Sequence, residues 1–192
     1  ILPLLGVGGM ELYKAEVPGP VPDKIKPRVA ETAKTLWLVY VLISATEVVL
    51  LLGGGMDLFE SLCTTFGTMA TGGFHPKNLS IGHYDRVYID VIVTVFMFVA
   101  GANFALHYRM LKGTPSSYWR DAEFKFYLFF TLICIAAIAV NLRLNAYDSF
   151  AAALRYASFQ VVSILTTTGF VTADYEKWPY FAQFLLILLM FV

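Results

Sequence analysis

Apolar residues are gathered into long segments that are separated by short polar stretches. Three of these segments carry a single charged side chain each and cover residues 36–54, 87–108 and 124–142. A fourth begins at residue 179 and runs over residues 179–192. Because a helix needs about 20 apolar residues to cross the roughly 30 Å hydrocarbon layer of a bilayer, the pattern predicts membrane-spanning helices at these positions.

Two shorter segments lie between the long ones, at residues 57–69 and 148–165. Each begins with an aspartate, Asp57 or Asp148, and aspartate is a residue type that caps helix N-termini. The first segment would reach only about 20 Å as a helix, and Arg155 interrupts the second. We therefore predict two half-helices that enter the membrane partway and end inside it.

Each predicted half-helix ends in a string of threonine, glycine and phenylalanine. The first string is TMATGGF at residues 68–74, and the second is LTTTGF at residues 165–170. The order of span, half-helix and glycine loop thus occurs twice, and Gly73 and Gly169 are 96 residues apart. This layout predicts an internal repeat of about a hundred residues, as many membrane proteins have.

The composition agrees with a membrane protein, since 58% of the 192 residues are hydrophobic and only 15% are charged. A soluble domain is nearer to about half apolar and about a quarter charged. The 14 basic and 14 acidic side chains cancel, so nothing predicts a nucleic-acid-binding surface. Cys63 and Cys134 lie in apolar stretches and are predicted to be core residues, not a disulfide or metal pair.

The basic residues predict which side of the membrane each loop faces. Nine lie in or next to the loops at residues 10–35 and 109–123, and five lie on the opposite side. Because cytoplasmic loops are enriched in lysine and arginine, we expect these two loops to be cytoplasmic and both glycine loops to face outward. The nine basic residues are Lys14, Lys24, Lys26, Arg28, Lys34, Arg109, Lys112, Arg120 and Lys125.

A non-helical loop at membrane depth leaves carbonyl groups without helical hydrogen bonds. Such a loop is tolerated only inside protein or beside water, where its carbonyl oxygens can replace the hydration shell of a cation. Glycine lets successive carbonyl groups point in one direction, and the half-helix directs its negative end to the same place. The predicted cation-binding residues are Thr71, Gly72 and Gly73 in the first loop, and Thr167, Thr168 and Gly169 in the second.

Both loops read Thr-x-Gly-Phe, which is similar to the Thr-Val-Gly-Tyr filter sequence of potassium channels. With the further strings GVGGMELYKAEVPGP (6–20) and ILTTTGFVTADY (164–175), the chain resembles the Trk/Ktr/HKT superfamily of potassium transporters, and bacterial Trk-type subunits in particular. The resemblance covers essentially the whole chain. It implies an all-α membrane protein of helix–pore loop–helix repeats, with re-entrant half-helices and selectivity-filter loops around a central pore.

The resemblance also divides the chain into parts of successive repeats. Residues 1–35 would hold the end of the first repeat and a cytoplasmic loop, residues 36–108 the second repeat, and residues 124–192 most of the third. The filter loops are predicted at residues 70–74 and 166–170. We therefore expect the chain to be a fragment of a longer protein with four repeats.

The resemblance implies potassium uptake across the inner membrane through a passive pore, with potassium held at the six filter residues and with no cofactor and no enzymatic activity. The second glycine of the potassium-channel filter is missing from both loops, so we expect rubidium to be accepted and sodium to be only partly excluded. A sodium or mixed sodium/potassium conductor of the same fold is the alternative. An intramembrane enzyme is the alternative from another class, although the chain has no HExxH, GxSxG or P-loop motif.

The resemblance implies partners besides potassium ions and the lipid bilayer. Family members form homodimers, and they bind a cytosolic ring of nucleotide-binding subunits of the regulator-of-potassium-conductance type. We therefore expect both partners here, and no nucleic acid.

Several polar side chains lie inside the predicted spans and half-helices. Glu47 is a candidate for a structural role, with a role in shaping the outer pore or attracting cations as the alternative. Asp90 is predicted to be interfacial, and Arg155 is predicted to be structural, where it would satisfy a carboxylate or carbonyl groups. Asn103 could face the inner cavity or bond across packed helices, and we favour helix packing.

The remaining candidates lie nearer the predicted membrane surfaces. His75, His83 and His107 lack the spacing of a metal site and are predicted to be interfacial polar residues. Asp174 and Glu176 follow the second glycine loop, where they either raise the cation concentration at the pore mouth or form a solvated turn. These two alternatives are left open by the sequence.

Overall fold

The computed structural model describes residues 29–114 and 116–191, and every regular element in these ranges is helical. Two short 3₁₀ helices, Ser80–His83 and Tyr175–Lys177, follow the two glycine loops. The α-helices of the described ranges are α1 (Val29–Gly53), α2 (Leu58–Met69), α3 (Val87–Ala100), α4 (Phe104–Leu111), α5 (Ser116–Arg120), α6 (Ala122–Asn145), α7 (Phe150–Leu165) and α8 (Tyr180–Leu189).

Within the described ranges, α1 and α6 are the two helices that are long and apolar enough to cross a bilayer unaided. They form where spans were predicted at residues 36–54 and 124–142. Only 22% of the apolar window of α1 and 28% of that of α6 are buried. The large apolar faces that remain exposed are suited to contact with lipid or with further helices, because the bilayer core is itself apolar.

The structure differs from the sequence-based expectation at the predicted span 87–108, which forms two helices instead of one. α3 and α4 meet at an angle of 102° across residues 101–103. Asn103 caps α4, because its side-chain oxygen accepts a hydrogen bond from the amide of Ala105 at 2.9 Å. Asn103 therefore forms a helix cap, which was not among the roles expected for it, and the local hydrogen bond explains why a new helix starts here.

Side chains of α4 and α6 bond to carbonyl groups near the end of α3. The hydroxyl of Tyr127 on α6 donates to the carbonyl of Phe98 at 3.1 Å. His107 Nε2 lies 2.9 Å from the carbonyl oxygen of Val99, and its Nδ1 is hydrogen-bonded to Tyr118. His107 is therefore a buried residue with structural hydrogen bonds, and the prediction that it lies at the membrane interface stays a prediction.

α2 and α7 are the two half-helices, and each packs between longer helices. α2 lies against α1 and α3, and α7 lies against α6, α3 and α8. The carboxylate of Asp57 caps α2 by accepting a hydrogen bond from the amide of Phe59 at 3.2 Å. α7 begins at Phe150 with Ser149 in the N-cap position, so the predicted cap by Asp148 is wrong.

Two buried apolar clusters hold these helices together. One fills the space between α6, α7 and α8, and the other joins α3 to three residues of the later repeat, namely Phe159, Val162 and Phe170. Cys134 belongs to the first cluster, whereas the free Cys63 is half-buried. Four fully buried alanines let the helix backbones of the first cluster approach closely. They are Ala139, Ala153, Ala157 and Ala182.

A buried ion pair also joins the two repeats. Arg155 on α7 donates from Nε to the Asp90 carboxylate on α3 at 2.7 Å, and from Nη2 to Asp85 at 3.1 Å. Asp90 is only 2% exposed, so it is a buried partner of Arg155, a role that the expectation of an interfacial residue did not include. The predicted structural role of Arg155 in satisfying a carboxylate is confirmed.

Candidate ion-binding site

The first glycine loop (residues 70–74) and the second glycine loop (residues 166–170) each begin where a half-helix ends. α2 ends at Met69 and α7 ends at Leu165. The free carbonyl groups at a helix C-terminus carry a partial negative charge, which each half-helix therefore directs at its loop. This arrangement favours a cation beside both loops.

The two loops share an unusual backbone conformation. In each loop the first and third predicted site residues have a positive φ, whereas the residue between them does not. The φ angles are 50° and 63° at Thr71 and Gly73, and 58° and 86° at Thr167 and Gly169. When left-handed residues alternate with residues of negative φ, the peptide planes alternate so that successive carbonyl groups can line one side of the chain. That is the backbone geometry that a carbonyl-lined ion site needs.

Matching hydrogen bonds hold this backbone in both loops. The amide of Thr71 donates to the Thr68 carbonyl at 3.1 Å, and the amide of Thr167 donates to the Ile164 carbonyl at 3.0 Å. Equivalent bonds run from each loop glycine to the preceding half-helix: from Gly73 to Gly67 at 3.3 Å, and from Gly169 to Ser163 at 3.1 Å. The internal repeat predicted from the sequence is thus a repeat of local geometry.

A threonine with positive φ is strained, because its Cβ crowds its own backbone. Within the described ranges, positive φ occurs at four residues other than glycine, and Thr71 and Thr167 are two of these four. Such strain costs of order 1–3 kcal/mol and persists only where the surrounding structure imposes it, most often at functional sites. Its presence at two equivalent positions indicates a functional site.

The two loops touch each other through their backbones. A Cβ atom at Gly73 would lie 2.0 Å from the carbonyl oxygen of Thr168, far inside any real contact. Only glycine fits at this position, both for its positive φ and for the lack of space. The structure therefore brings the two predicted sets of site residues together, side by side.

Residues that the sequence analysis did not single out fix the loops in place. Phe170 is fully buried, and a Cβ atom at Gly67 would lie 2.8 Å from its ring. The amide of Gly82 donates to the Val171 carbonyl at 3.0 Å, and the amide of Val171 donates to Ser80 Oγ at 3.3 Å. Gly67, Ser80 and Gly82 belong to no recognisable motif. The one sequence signal for their role was the position of Gly67 inside a predicted half-helix, where a glycine is unusual.

The side chains that hold each loop differ. In the second loop, Ser163 Oγ donates to the carbonyl of Phe170 at 2.7 Å, and the hydroxyl groups of Thr166 and Thr168 are hydrogen-bonded at 2.8 Å. The equivalent positions around the first loop carry no hydroxyl group, because they are Gly67, Ala70 and Gly72. The first loop therefore keeps the shared backbone hydrogen bonds but lacks these side-chain hydrogen bonds.

The acidic residues after the second loop are exposed. Lys177 Nζ lies 2.8 Å from the Asp174 carboxylate and lowers the pKa of that carboxyl below its usual value. This ion pair weakens the attraction that Asp174 could exert on a passing cation.

His75 packs its ring edge-on against Phe170, with ring centroids 6.1 Å apart. Within the described residues, no group of three histidine, cysteine or acidic side chains is placed to hold a metal ion.

The structure combines apolar spanning helices with two half-helices whose terminal loops touch each other. Since non-helical backbone at membrane depth is tolerated only where protein or water surrounds it, these features define an integral membrane protein of helix–loop–helix repeats. The family model described as "TrkH: Cation transport protein" matches residues 1–192. The chain belongs to this family of cation transport proteins, and the family predicted from the two loops is confirmed.

Two relatives and one solved structure illustrate the similarity. "Trk system potassium uptake protein TrkH" of Escherichia coli K12 is 44% identical over 196 residues, which cover 100% of this chain and 40% of the relative. "Trk system potassium uptake protein TrkG" of the same organism is 34% identical over 182 residues, which cover 93% of this chain and 37% of the relative. The chain thus spans about two-fifths of the length of these relatives.

The crystal structure of the potassium transporter TrkH from Vibrio parahaemolyticus has the same fold. The two structures superpose with a TM-score of 0.84 at 32% identity, over 96% of this chain and 40% of that chain. The predicted all-α membrane fold of helix–pore loop–helix repeats is therefore confirmed.

Proposed function

We propose that this chain is part of a pore-forming subunit for potassium uptake, and that its two glycine loops supply two parts of one selectivity filter. The proposal rests on one observation above all. Two loops 96 residues apart have the same alternating backbone, and they touch where Gly73 meets the Thr168 carbonyl. The names of the relatives, which describe potassium uptake, support the choice of ion.

In the proposed mechanism, a potassium ion loses its water at the loops and is held by backbone carbonyl oxygens instead. The two half-helices add the negative ends of their dipoles, which stabilise the dehydrated cation. The ion moves down its electrochemical gradient, and no covalent bond is made or broken, so we propose no enzymatic activity and no cofactor. The coordinating residues are Thr71, Gly72, Gly73, Thr167, Thr168 and Gly169.

We further propose that the subunit lies in the inner membrane with both glycine loops facing outward. The excess of basic residues at the loops 10–35 and 109–123 supports a cytoplasmic location of those loops. By resemblance to its family, the whole protein would form a homodimer and bind a cytosolic nucleotide-binding ring. Co-purification of that ring with the full-length protein would test this part of the proposal.

The decisive experiment uses a bacterium that lacks its own potassium uptake and carries the full-length gene. Wild-type protein is expected to restore growth at limiting potassium, and Gly169→Ser is expected to fail although it reaches the membrane in equal amount. Equal growth with both would reject the two loops as a filter. Competition of rubidium uptake by potassium or by sodium then separates the potassium proposal from the sodium or mixed alternative.

A further inference from the structure

Behind the first glycine loop, α1 and α2 enclose a set of buried polar side chains. Glu47 on α1 is fully buried, and within the described residues neither of its carboxyl oxygens has a hydrogen-bond partner. Buried polar groups without partners are rare in folded proteins, so each one calls for an explanation. The other buried polar residues of this set are Ser44, Ser61, Thr64, Thr65 and Thr68.

The internal repeat offers a direct comparison for this polar set. Glu47 lies ten residues before Asp57, the N-cap of α2, and the residue ten before Ser149, the N-cap of α7, is the fully buried Ala139. α7 nevertheless forms a half-helix that ends in a loop of the same backbone conformation. A buried carboxyl group on the preceding helix is therefore not needed to build the half-helix. The equivalents of Ser61, Thr64, Thr65 and Thr68 are Ala157, Gln160, Val161 and Ile164.

The side chains of the loops themselves show the reverse distribution: the second loop is rich in hydroxyl groups and the first is not. The second loop is tied by the hydroxyl groups of Ser163, Thr166 and Thr168, whereas the first has no hydroxyl group at the equivalent positions. The polar set thus lies behind the one loop that lacks internal side-chain hydrogen bonds. This complementary distribution suggests that the two arrangements perform the same task.

Thr68 connects the polar set to the first loop. Its hydroxyl lies beside the Glu47 carboxyl and donates to the carbonyl of Thr64 at 2.9 Å. Its own carbonyl accepts the amide of Thr71 at 3.1 Å, and Thr71 is the strained residue at the start of the proposed ion site. Any shift of Thr68 therefore moves the first coordinating residue.

We infer that Glu47 is a positioning residue for the first glycine loop, and that it acts through Thr68 to hold Thr71 in its strained conformation. The inference rests on the proposed function, because it assigns to Glu47 an effect on ion selectivity. The Thr68 hydroxyl already donates to Thr64, so its lone pairs remain available as acceptors. In the proposed arrangement they accept from Glu47 in its acid form, or from an amide at the same position. Glutamine can replace Glu47 in this role, and leucine cannot.

The test measures rubidium uptake by the full-length transporter in proteoliposomes, with potassium and sodium as competitors. Glu47→Gln is expected to keep the wild-type preference for potassium over sodium. Glu47→Leu is expected to lower that preference by about tenfold, the effect of one lost hydrogen bond at a buried site. Arg143→Leu is the control, because it replaces an exposed charged residue near the end of the corresponding helix of the other repeat, and it is expected to change nothing.

Two results would overturn the inference: an unchanged preference in correctly folded Glu47→Leu, or a preference in Glu47→Gln as low as in Glu47→Leu. If Glu47→Leu does not fold, Thr68→Val decides, because it keeps the branched shape and removes the hydroxyl group. Thr68→Val is expected to lower the preference, and an unchanged preference would overturn the inference. A wild-type protein that does not discriminate potassium from sodium would reject the proposed function instead, so the two failures are distinguishable.

Discussion

The two glycine loops have the same backbone, but their surroundings differ. Phe170 after the second loop is fully buried against Gly67, whereas Phe74 at the equivalent position is 85% exposed. The second loop is tied by its own hydroxyl groups, and the first has a polar set behind its half-helix. The φ pattern is therefore the feature that the two loops share. The side chains that maintain it are free to differ.

The N-terminal parts of the half-helices are also fixed in different ways. Glu60 on α2 is bound within its own repeat, by Lys77 at 2.7 Å and by the Tyr84 hydroxyl at 2.7 Å. Arg155 on α7 instead reaches back to Asp90 of the preceding repeat. α2 is therefore anchored locally, whereas the position of α7 depends on the contact between repeats.

The largest effect is expected from Gly73→Ala in the full-length transporter. The new Cβ would lie 2.0 Å from the Thr168 carbonyl oxygen, and the positive φ adds strain. Relieving the clash must separate the loops, so rubidium uptake is expected to fall by about a hundredfold. Initial uptake rates, normalised to the amount of protein in the membrane, provide the measurement.

Gly72→Ala is the matched control in the same loop. Its Cβ would lie 3.6 Å from the nearest atom, and the equivalent residue of the other loop is a threonine. Its uptake is expected to stay within about threefold of wild type, since ordinary contacts cost little. Equal losses in both variants would contradict the claim that contact between the loops, and not glycine content, is what matters.

The second largest effect is expected from Arg155→Met, which leaves Asp90 buried without its partner. Breaking a buried ion pair from one side costs about 3–5 kcal/mol in free energy of unfolding. The midpoint of thermal unfolding in detergent is therefore expected to drop clearly. The double variant Asp90→Leu/Arg155→Met removes both charges and is expected to recover most of the loss. A double variant no more stable than Arg155→Met would show that the charges do not determine this contact.

A smaller effect is expected from Ser163→Ala. The change removes a hydrogen bond of 2.7 Å to the Phe170 carbonyl, which has a net value of about 1 kcal/mol. The preference for potassium over sodium in rubidium competition is expected to fall by about fivefold. Ser158→Ala is the control on the same helix, because that hydroxyl bonds only to the Arg155 carbonyl. If the preference for potassium fell equally in both variants, the cause would be a general disturbance of α7 and not the loss of the hydrogen bond to the second loop.

Local sequence patterns were sufficient to predict the helices that the structure forms around residues 36–54, 57–69 and 124–142. Apolar length distinguishes a span from a half-helix, and Asp57 marks a start with its own cap. The two loops were also recognisable, because threonine and glycine after an apolar half-helix have few other uses. At the loop glycines, the positive φ could be expected from the residue type. At Thr71, the surrounding structure imposes it.

Other features depend on partners that no local pattern reveals. The break at residues 101–103 is stabilised by Tyr127 and His107, although Gly101 and Asn103 are residue types that end and start helices. The burial of Asp90 depends on Arg155, 65 residues away. The contact between Gly73 and Thr168 likewise joins two repeats. It could be expected only from the assumption that the repeats surround one central pore axis.

The smallest effect is expected from Asp174→Asn, outside the second loop. Lys177 lowers the pKa of Asp174 below its ordinary value of 3.8, so the carboxylate stays ionised at neutral and mildly acidic pH, and the pair is lost only as the pH falls through the lowered pKa. Rubidium uptake should therefore show no titration of Asp174 between pH 5 and 8. Because both groups are exposed and screened by salt, the apparent KM is expected to change by less than about twofold.

Glu176→Gln is the control for this exposed turn, since Glu176 lies beside the same lysine. A similarly small change in its apparent KM would favour the solvated turn over the cation-attracting mouth. A pH dependence between 5 and 8 that disappears in Asp174→Asn would contradict the ion pair. It would also mean that the approach to the second loop, unlike its carbonyl-lined backbone, is controlled by acidic side chains.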